Sequence, residues 1–294
     1  MSALADLLQR LRPRAHRLGE AVGRVVYPPH CVVCGRPVGG DEDRYLCRGC
    51  IARIQFVVEP TCPRCGHEVG EYTPGTRCLV CRNLPMRFDR AVAAAHHTGA
   101  VREMVLAFKF AAQQHNAFPL SKLLAARLAD TEIPEKAQFI VPVPLHRRRL
   151  RSRGFNQSEV LARELGERLG LPVLTGKLRR VIDTPPQTRA TSAAQRRANV
   201  KGAFAVRSRK AVDGRTLLLV DDVLTTGATT SECAGVLKRA GARHVYVATV
   251  TRRMSIPPQP DAPLARYEIE SLVPPGDFPT DEAPPSEPPR LPRE

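Results

Sequence analysis

The stretch LLLVDDVLTTGATT, Leu217 to Thr230, constrains this chain more than any other. Four apolar residues run into two adjacent acids, Asp221 and Asp222, and a Thr- and Gly-rich turn follows. A short apolar run bounded by turn residues reads as a buried strand. Thr230, Ser231 and Glu232 suit the first turn of a helix, Lys238 and Arg239 its last turn, and Gly241 its stop. HVYVATVT, His244 to Thr251, reads as the next strand. The unit is therefore βαβ, with its turn at the carboxyl end of the first strand, where open α/β sheets bind ligands. A helix start offers free N–H groups and a partial positive charge, which suits a phosphate. Thr225, Thr226, Gly227 and Thr229 are the candidate phosphate cradle. Asp221 and Asp222 beside it suit ribose hydroxyls or a Mg²⁺ shell, and together they fit a sugar phosphate.

Eight of the nine cysteines form four CxxC pairs before residue 82: Cys31/Cys34, Cys47/Cys50, Cys62/Cys65 and Cys78/Cys81. Twelve residues separate the first pair from the second, and again the third from the fourth. Each half matches the zinc-ribbon pattern, in which a CxxC turn supplies two thiolates and a short hairpin returns the other two. Gly35 and Gly66, one residue past a pair, suit the tight knuckle. Four copies at a repeated spacing favour metal over a redox pair, and nothing signals the export that disulfides would need. The spacing leaves open whether the two sites form in sequence or cross-braced. His30 and His67 adjoin the ligands as alternative donors. Four thiolates close the zinc shell, so the metal is expected to be structural.

Between these modules, RFDRAVAAA (87–95) reads as a strand, and helices are expected over 96–113 and over Phe118 to Asp130. Leu106 and Phe110 share a helical face and read as core, and Lys109 reads as a surface lysine, with a ligand contact as the alternative. FIVPVPL (139–145) is a buried strand ending in prolines. The basic run His146, Arg147, Arg148, Arg149, Arg151 and Arg153 follows, then a helix from Gln157 or Ser158 with Leu161, Leu165 and Leu169 on one face. Clustered Arg at a strand end suits pyrophosphate, because the guanidinium fork binds phosphate bidentately. The same run suits nucleic-acid phosphates, with Phe155, Asn156 and Gln157 for base contacts. Leu178 to Val206 is polar, basic and Pro-broken, and reads as a long loop or flap carrying Gln187, Arg189, Thr191, Gln195, Arg197 and Asn199. Cys233 reads as a core residue.

The chain has 294 residues and a net charge of +16, unevenly spread, since the stretch after residue 254 is net acidic. So basic a body attracts polyanions, nucleic acid above all. Twelve of the 27 prolines lie from Pro257 onward, which marks a disordered tail in which Tyr267 to Val273 is the one candidate strand. Residues 1–26 read as a basic amphipathic helix rather than a signal peptide, because no continuous apolar core is present. No run of 18 apolar residues exists, so no membrane span is expected and the cytoplasm of a bacterium is the expected location. The expected organisation is a basic helix over 1–26, a double zinc ribbon over 27–85, an α/β domain over 86–254 and the tail over 255–294.

Three segments in order resemble the ComF family of phosphoribosyltransferase-like proteins: the paired ribbons with VPVPLHRRRLRSRGFNQ, then TPPQTRATSAAQRRANVKGAF, then LLLVDDVLTTGATT. The last also resembles the PRPP-binding motif of type I phosphoribosyltransferases. The resemblance covers roughly residues 28–252. It implies a mostly parallel sheet with flanking helices behind a small four-cysteine zinc-ribbon module. It implies PRPP with Mg²⁺ at Asp221, Asp222, Thr225, Thr226, Gly227 and Thr229, and pyrophosphate at the Val143–Pro144 turn near Arg147, Arg149 and Arg151. It further implies a role in natural competence or in growth on DNA, with single-stranded DNA and a helicase-like partner. Family members carry an amidophosphoribosyltransferase-like label, but glutamine chemistry needs an N-terminal nucleophile domain, and here the first module is a ribbon. Two readings stand: a binding module for DNA uptake or utilisation, and an active phosphoribosyltransferase whose acceptor no residue set identifies.

Overall fold

Strands that are apolar on both faces must be covered on both faces, and this chain covers them with helices. The computed structural model describes residues 29–39, 45–69, 78–84, 86–110, 113–184 and 192–253. Its strands are β1 (Arg90–His96), β2 (Phe139–Pro142), β3 (Leu178–Arg180), β4 (Phe204–Val206), β5 (Thr216–Leu224) and β6 (His244–Arg252). The main sheet runs β1-β6-β5-β2, every pair parallel, and β3 and β4 form a separate antiparallel ribbon. The helices are α1 (Arg48–Ala52), α2 (Leu79–Asn83), α3 (Gly99–Phe110), α4 (Ala117–Ala129), α5 (Ile133–Lys136), α6 (Arg147–Arg153), α7 (Gln157–Leu169), α8 (Ala193–Val200) and α9 (Ala228–Arg239).

The period of two along a strand sends alternate residues to opposite cores. Leu218 and Val220 of β5 join Ala248 and Val250 of β6 in the core beneath α3, α4 and α7. Leu217 and Leu219 join Val245 and Val247 in the core shared with α9 and the β3–β4 ribbon. All eight are fully buried. Truncating any of these leucines to Ala would cost about 2–5 kcal/mol. The mostly parallel sheet with flanking helices is thus the architecture expected of the sequence.

Several local expectations change. On α3 the buried face is Val101, Met104, Val105 and Phe108, whereas Phe110 is 74% exposed and Leu106 only half-buried. Two residues four apart share a face without saying which face is inside, and the sheet chose the other. The basic run is not a loop but helix α6, capped by the His146 side chain, which accepts from the Arg148 N–H, and closed by Gly154 at φ +83. Leu178 to Val206 is not one long loop: β3, α8 and β4 lie within it. Ser192 caps α8 by accepting from the Gln195 N–H at 3.1 Å. Gln187, Arg189 and Thr191, the N-terminal helix and the Pro-rich tail with Tyr267 to Val273 lie outside the described residues.

The first CxxC knuckle of each half turns back through a bridge, His30 with Pro37 and Thr61 with Glu68. The second pair of each half arrives on a helix rather than a hairpin: Cys47 precedes α1 and Cys78 precedes α2.

Candidate functional site

The acids sit where strand β5 runs on past the end of β2 while still paired with β6. In register, Asp221 faces Thr249 of β6, and Val220 faces Pro142, the last residue of β2. The Val143–Pro144 turn therefore leaves β2 beside the acid pair. The Val143 N–H donates to Val220 O at 2.9 Å, and Asn156 Nδ2 donates to Val143 O at 3.1 Å. After Leu224 the chain turns through exposed Thr225 and half-buried Thr226 to Gly227, which caps α9 with φ +71. A left-handed φ favours glycine here, and a side chain would also meet Met86 Sδ at 3.0 Å. Thr229 is half-buried in the first turn. Thr226 Oγ1 is buried and has no hydrogen-bond partner among the described residues.

Both carboxylates are held by residues that arrive from elsewhere. Asp221 Oδ1 accepts from Ser158 Oγ at 2.9 Å and from the Asp222 N–H at 3.0 Å. Asp222 Oδ2 lies 2.9 Å from Lys109 Nζ. Burial and the neighbouring Asp222 charge push the Asp221 carboxyl up to about 7, against the opposing pull of Lys109, Ser158 and the Asp222 amide. Burial, with the charges of Lys109 and Arg253, holds His97 down at about 4, so it is neutral near pH 7. Its Nδ1 is 2.9 Å from Thr251 Oγ1, and Thr251 Oγ1 reaches back to Asp222 O at 3.5 Å.

Helix α6 divides the predicted arginines by its period. Arg149 is half-buried and donates to Thr184 O at 2.7 Å. Arg153, one turn on, is also half-buried, and burial lowers its affinity for the proton, with the Asp222 charge opposing that only in part. Arg147, Arg148 and Arg151 point to solvent. The sequence grouped Arg147, Arg149 and Arg151; the structure turns Arg149 and Arg153 inward and leaves Arg147 and Arg151 outside. Ser158 was not assigned to the acid pair from sequence, and Lys109 read as a surface lysine with a ligand contact as the alternative. No local spacing signals them, since Lys109 lies more than a hundred residues from its partner.

Two clefts open at this end of the sheet. One, about 180 Å³, is lined by Thr226, Gly227, Ser231, Arg87, Arg197 and Lys201. The other, about 430 Å³, includes Pro144, Arg147, Leu150, Asn156, Arg179 and Val181. Gln195 is exposed on α8, and Asn199 is half-buried there. Cys233 is fully buried, as expected.

The cysteines gather in sequence order rather than cross-braced. Cys31, Cys34, Cys47 and Cys50 converge, as do Cys62, Cys65, Cys78 and Cys81, with all four sulfurs of each set within 4.8 Å of one another. All eight are free thiols. A zinc with Zn–S bonds of about 2.3 Å requires sulfurs about 3.8 Å apart. The Cys34–Cys47, Cys62–Cys81 and Cys65–Cys78 separations are 3.7, 3.9 and 3.5 Å. Both sets therefore fit zinc, closed by four sulfurs. His67 is engaged elsewhere, its Nδ1 lying 3.2 Å from an Arg252 guanidinium nitrogen.

Known proteins match the chain through two family domains. The double zinc ribbon domain matches residues 22–82, and the phosphoribosyl transferase domain matches residues 113–279. Competence protein F of Haemophilus influenzae is 34% identical over 209 residues, covering 69% of this chain and 88% of the relative. The DNA utilization protein YhgH of Salmonella typhi is 33% identical, covering 77% of this chain and 98% of its own length. Competence protein ComFC of Streptococcus pneumoniae is 26% identical, with 76% and 99% covered. Among solved structures, an adenine phosphoribosyltransferase from Giardia lamblia complexed with 9-deazaadenine is 16% identical over 48% of this chain and 69% of that one, at a TM-score of 0.32. No helix of the described residues is long and apolar enough to cross a membrane.

Proposed function

Since the chain belongs to the ComF family, a double zinc ribbon joined to a phosphoribosyl transferase domain, we propose that it binds PRPP or a related phosphoribosyl ligand with Mg²⁺ and acts in DNA uptake or utilisation. The observation that carries this reading is the acid pair at the end of β5, each carboxylate fixed by its own partner, Ser158 and Lys109. Asp221 Oδ2 and Asp222 Oδ1 lie outside those contacts and suit ribose hydroxyls or the oxygen shell of Mg²⁺. The Thr225–Thr229 turn, with the partnerless hydroxyl of Thr226, takes the 5′-phosphate at a helix start. Single-stranded DNA would lie on the outward arginines of α6, Arg147, Arg148 and Arg151, which are exposed. A helicase-like competence protein fits the same role as partner.

The test is calorimetric titration with PRPP and Mg²⁺ of the wild type beside an Asp221→Asn/Asp222→Asn variant. Binding by the wild type alone supports the reading; no binding by either removes it. A second reading, transfer of the phosphoribosyl group to an acceptor, is favoured by one observation: the Lys109 ammonium stands 2.9 Å from Asp222 Oδ2, beside the acid pair. Positive charge there would stabilise a departing pyrophosphate. Pyrophosphate release in the presence of candidate acceptors tests it.

A further inference from the structure

The two ribbons do not relate to the sheet in the same way. Cysteines of the first, Cys31, Cys47 and Cys50, belong to the core under α3, α4 and α7. Those of the second, Cys62, Cys65, Cys78 and Cys81, belong to the opposite core, with Leu224 and Ala228 from the two ends of the Thr-Gly turn.

Three contacts tie the second ribbon to that turn. First, Arg252 at the end of β6 is 3% exposed. One guanidinium nitrogen donates to Cys65 O at 3.2 Å, and the other is 3.2 Å from His67 Nδ1. In the ladder Arg252 faces Leu224, the last residue before the turn, and the next N–H, that of Arg253, donates to Leu224 O at 2.8 Å. Second, Met86, five residues past Cys81, fills the space against Gly227: a Cβ there would stand 3.0 Å from its sulfur. Third, the Arg87 N–H donates to Ser231 Oγ at 3.1 Å, and its guanidinium pairs with Glu232 at 2.8 Å, so the linker also grips the first turn of α9. The knuckle itself is seated without slack, because a Cβ on Gly66 would meet Ala91 O at 2.4 Å.

We propose that Arg252 and Met86 are positioning residues that make the second zinc site part of the ligand-binding unit, while the first zinc site is not. Zinc at Cys62, Cys65, Cys78 and Cys81 holds the knuckle and the linker, and through them both ends of residues 224–231. Coupling is reciprocal: a phosphorylated ligand that holds the turn must also hold that zinc. The ligand half of this statement rests on the phosphoribosyl reading above; the zinc half does not.

The experiment has two arms on the full chain. In the first, a zinc-selective chelator strips the protein with and without saturating PRPP and Mg²⁺. Release is expected in two phases, and ligand slows by about 5- to 150-fold the phase that is missing in Cys78→Ser. The phase missing in Cys47→Ser is unchanged. Arg252→Met, with both zincs still bound, loses the slowing. In the second arm, hydrogen exchange is followed at the amides of 224–231 without ligand. It should quicken in Cys78→Ser and in Arg252→Met, and not in Cys47→Ser. Equal slowing of both release phases, or exchange in 224–231 indifferent to Cys78→Ser and Arg252→Met, overturns the proposal. If PRPP does not bind, the phosphoribosyl reading fails, and the exchange arm alone upholds or overturns the coupling.

Discussion

Lys109 Nζ rests 2.9 Å from Asp222 Oδ2, joining the last turn of α3 to the end of β5. The pair is largely removed from water, with 22% and 11% of the two side chains exposed. Asp221 sits beside it, held by a hydroxyl and an amide rather than by an ammonium in contact. The two acids are therefore unequal before any ligand arrives.

Removing the ammonium leaves Asp222 facing Asp221 uncompensated. Lys109→Met is expected to cost about 1.5–3 kcal/mol, the range for a hydrogen bond to a charged group. Urea denaturation with an unchanged m-value would show it. A variant as stable as wild type would mean that solvent already compensates Asp222.

The Asp221 carboxyl titrates at about 7 in the fold against 3.8 ordinarily. The folded chain thus binds a proton there more tightly than the unfolded chain, and stability falls as pH rises from about 4 to 7. His97 works the other way, because its depressed value near 4 makes stability rise between about 4 and 6.5. The difference between wild type and Asp221→Asn isolates the first effect. The variant should gain on the wild type as pH climbs from 4 to 7 and stay level above it. A flat difference curve would place Asp221 near its ordinary value.

The outward and inward arginines of α6 should separate in DNA binding. Arg147→Ala with Arg151→Ala is expected to lower the slope of log affinity for single-stranded DNA against log salt by about 1.4, two phosphate contacts' worth. Should the slope hold, the DNA surface lies off α6.

Gly227→Ala forces a side chain into a left-handed position against Met86. The backbone strain alone is about 1–2 kcal/mol. Pairing it with Met86→Ala should recover the steric part and not the strain, a partial rescue readable in a double-mutant cycle.

Two zincs per chain are expected from the two sulfur sets. Elemental analysis should find the content halved in Cys47→Ser or in Cys78→Ser. A wild-type content of one would show that one set is filled alone.

How much of this was legible depended on range along the chain. The βαβ unit from Leu217 to Thr251, the helix stop at Gly241 and the CxxC spacing are each encoded within a few tens of residues, and each stands in the structure as the sequence implied. The face of α3 was misjudged because its sequence carries apolar residues beyond one stripe, Leu106 and Phe110 beside Val101, Met104, Val105 and Phe108, and only the sheet selects between them. The basic run was read by composition, and its helical period, which turns Arg149 inward and Arg151 outward, follows from α6 being a helix at all.

The sequence by itself determined the modules: cysteines at ribbon spacing and an apolar strand that ends in acids before a Thr-Gly turn specify their own local geometry through short-range bonds. Only the tertiary structure decided what completes the site. Lys109, Ser158 and Arg252 meet the acid pair or its turn across gaps in the chain. A parallel sheet brings such groups together, because each crossover returns the next strand's end to the same edge. Nothing in the neighbouring residues records which side chains will meet there.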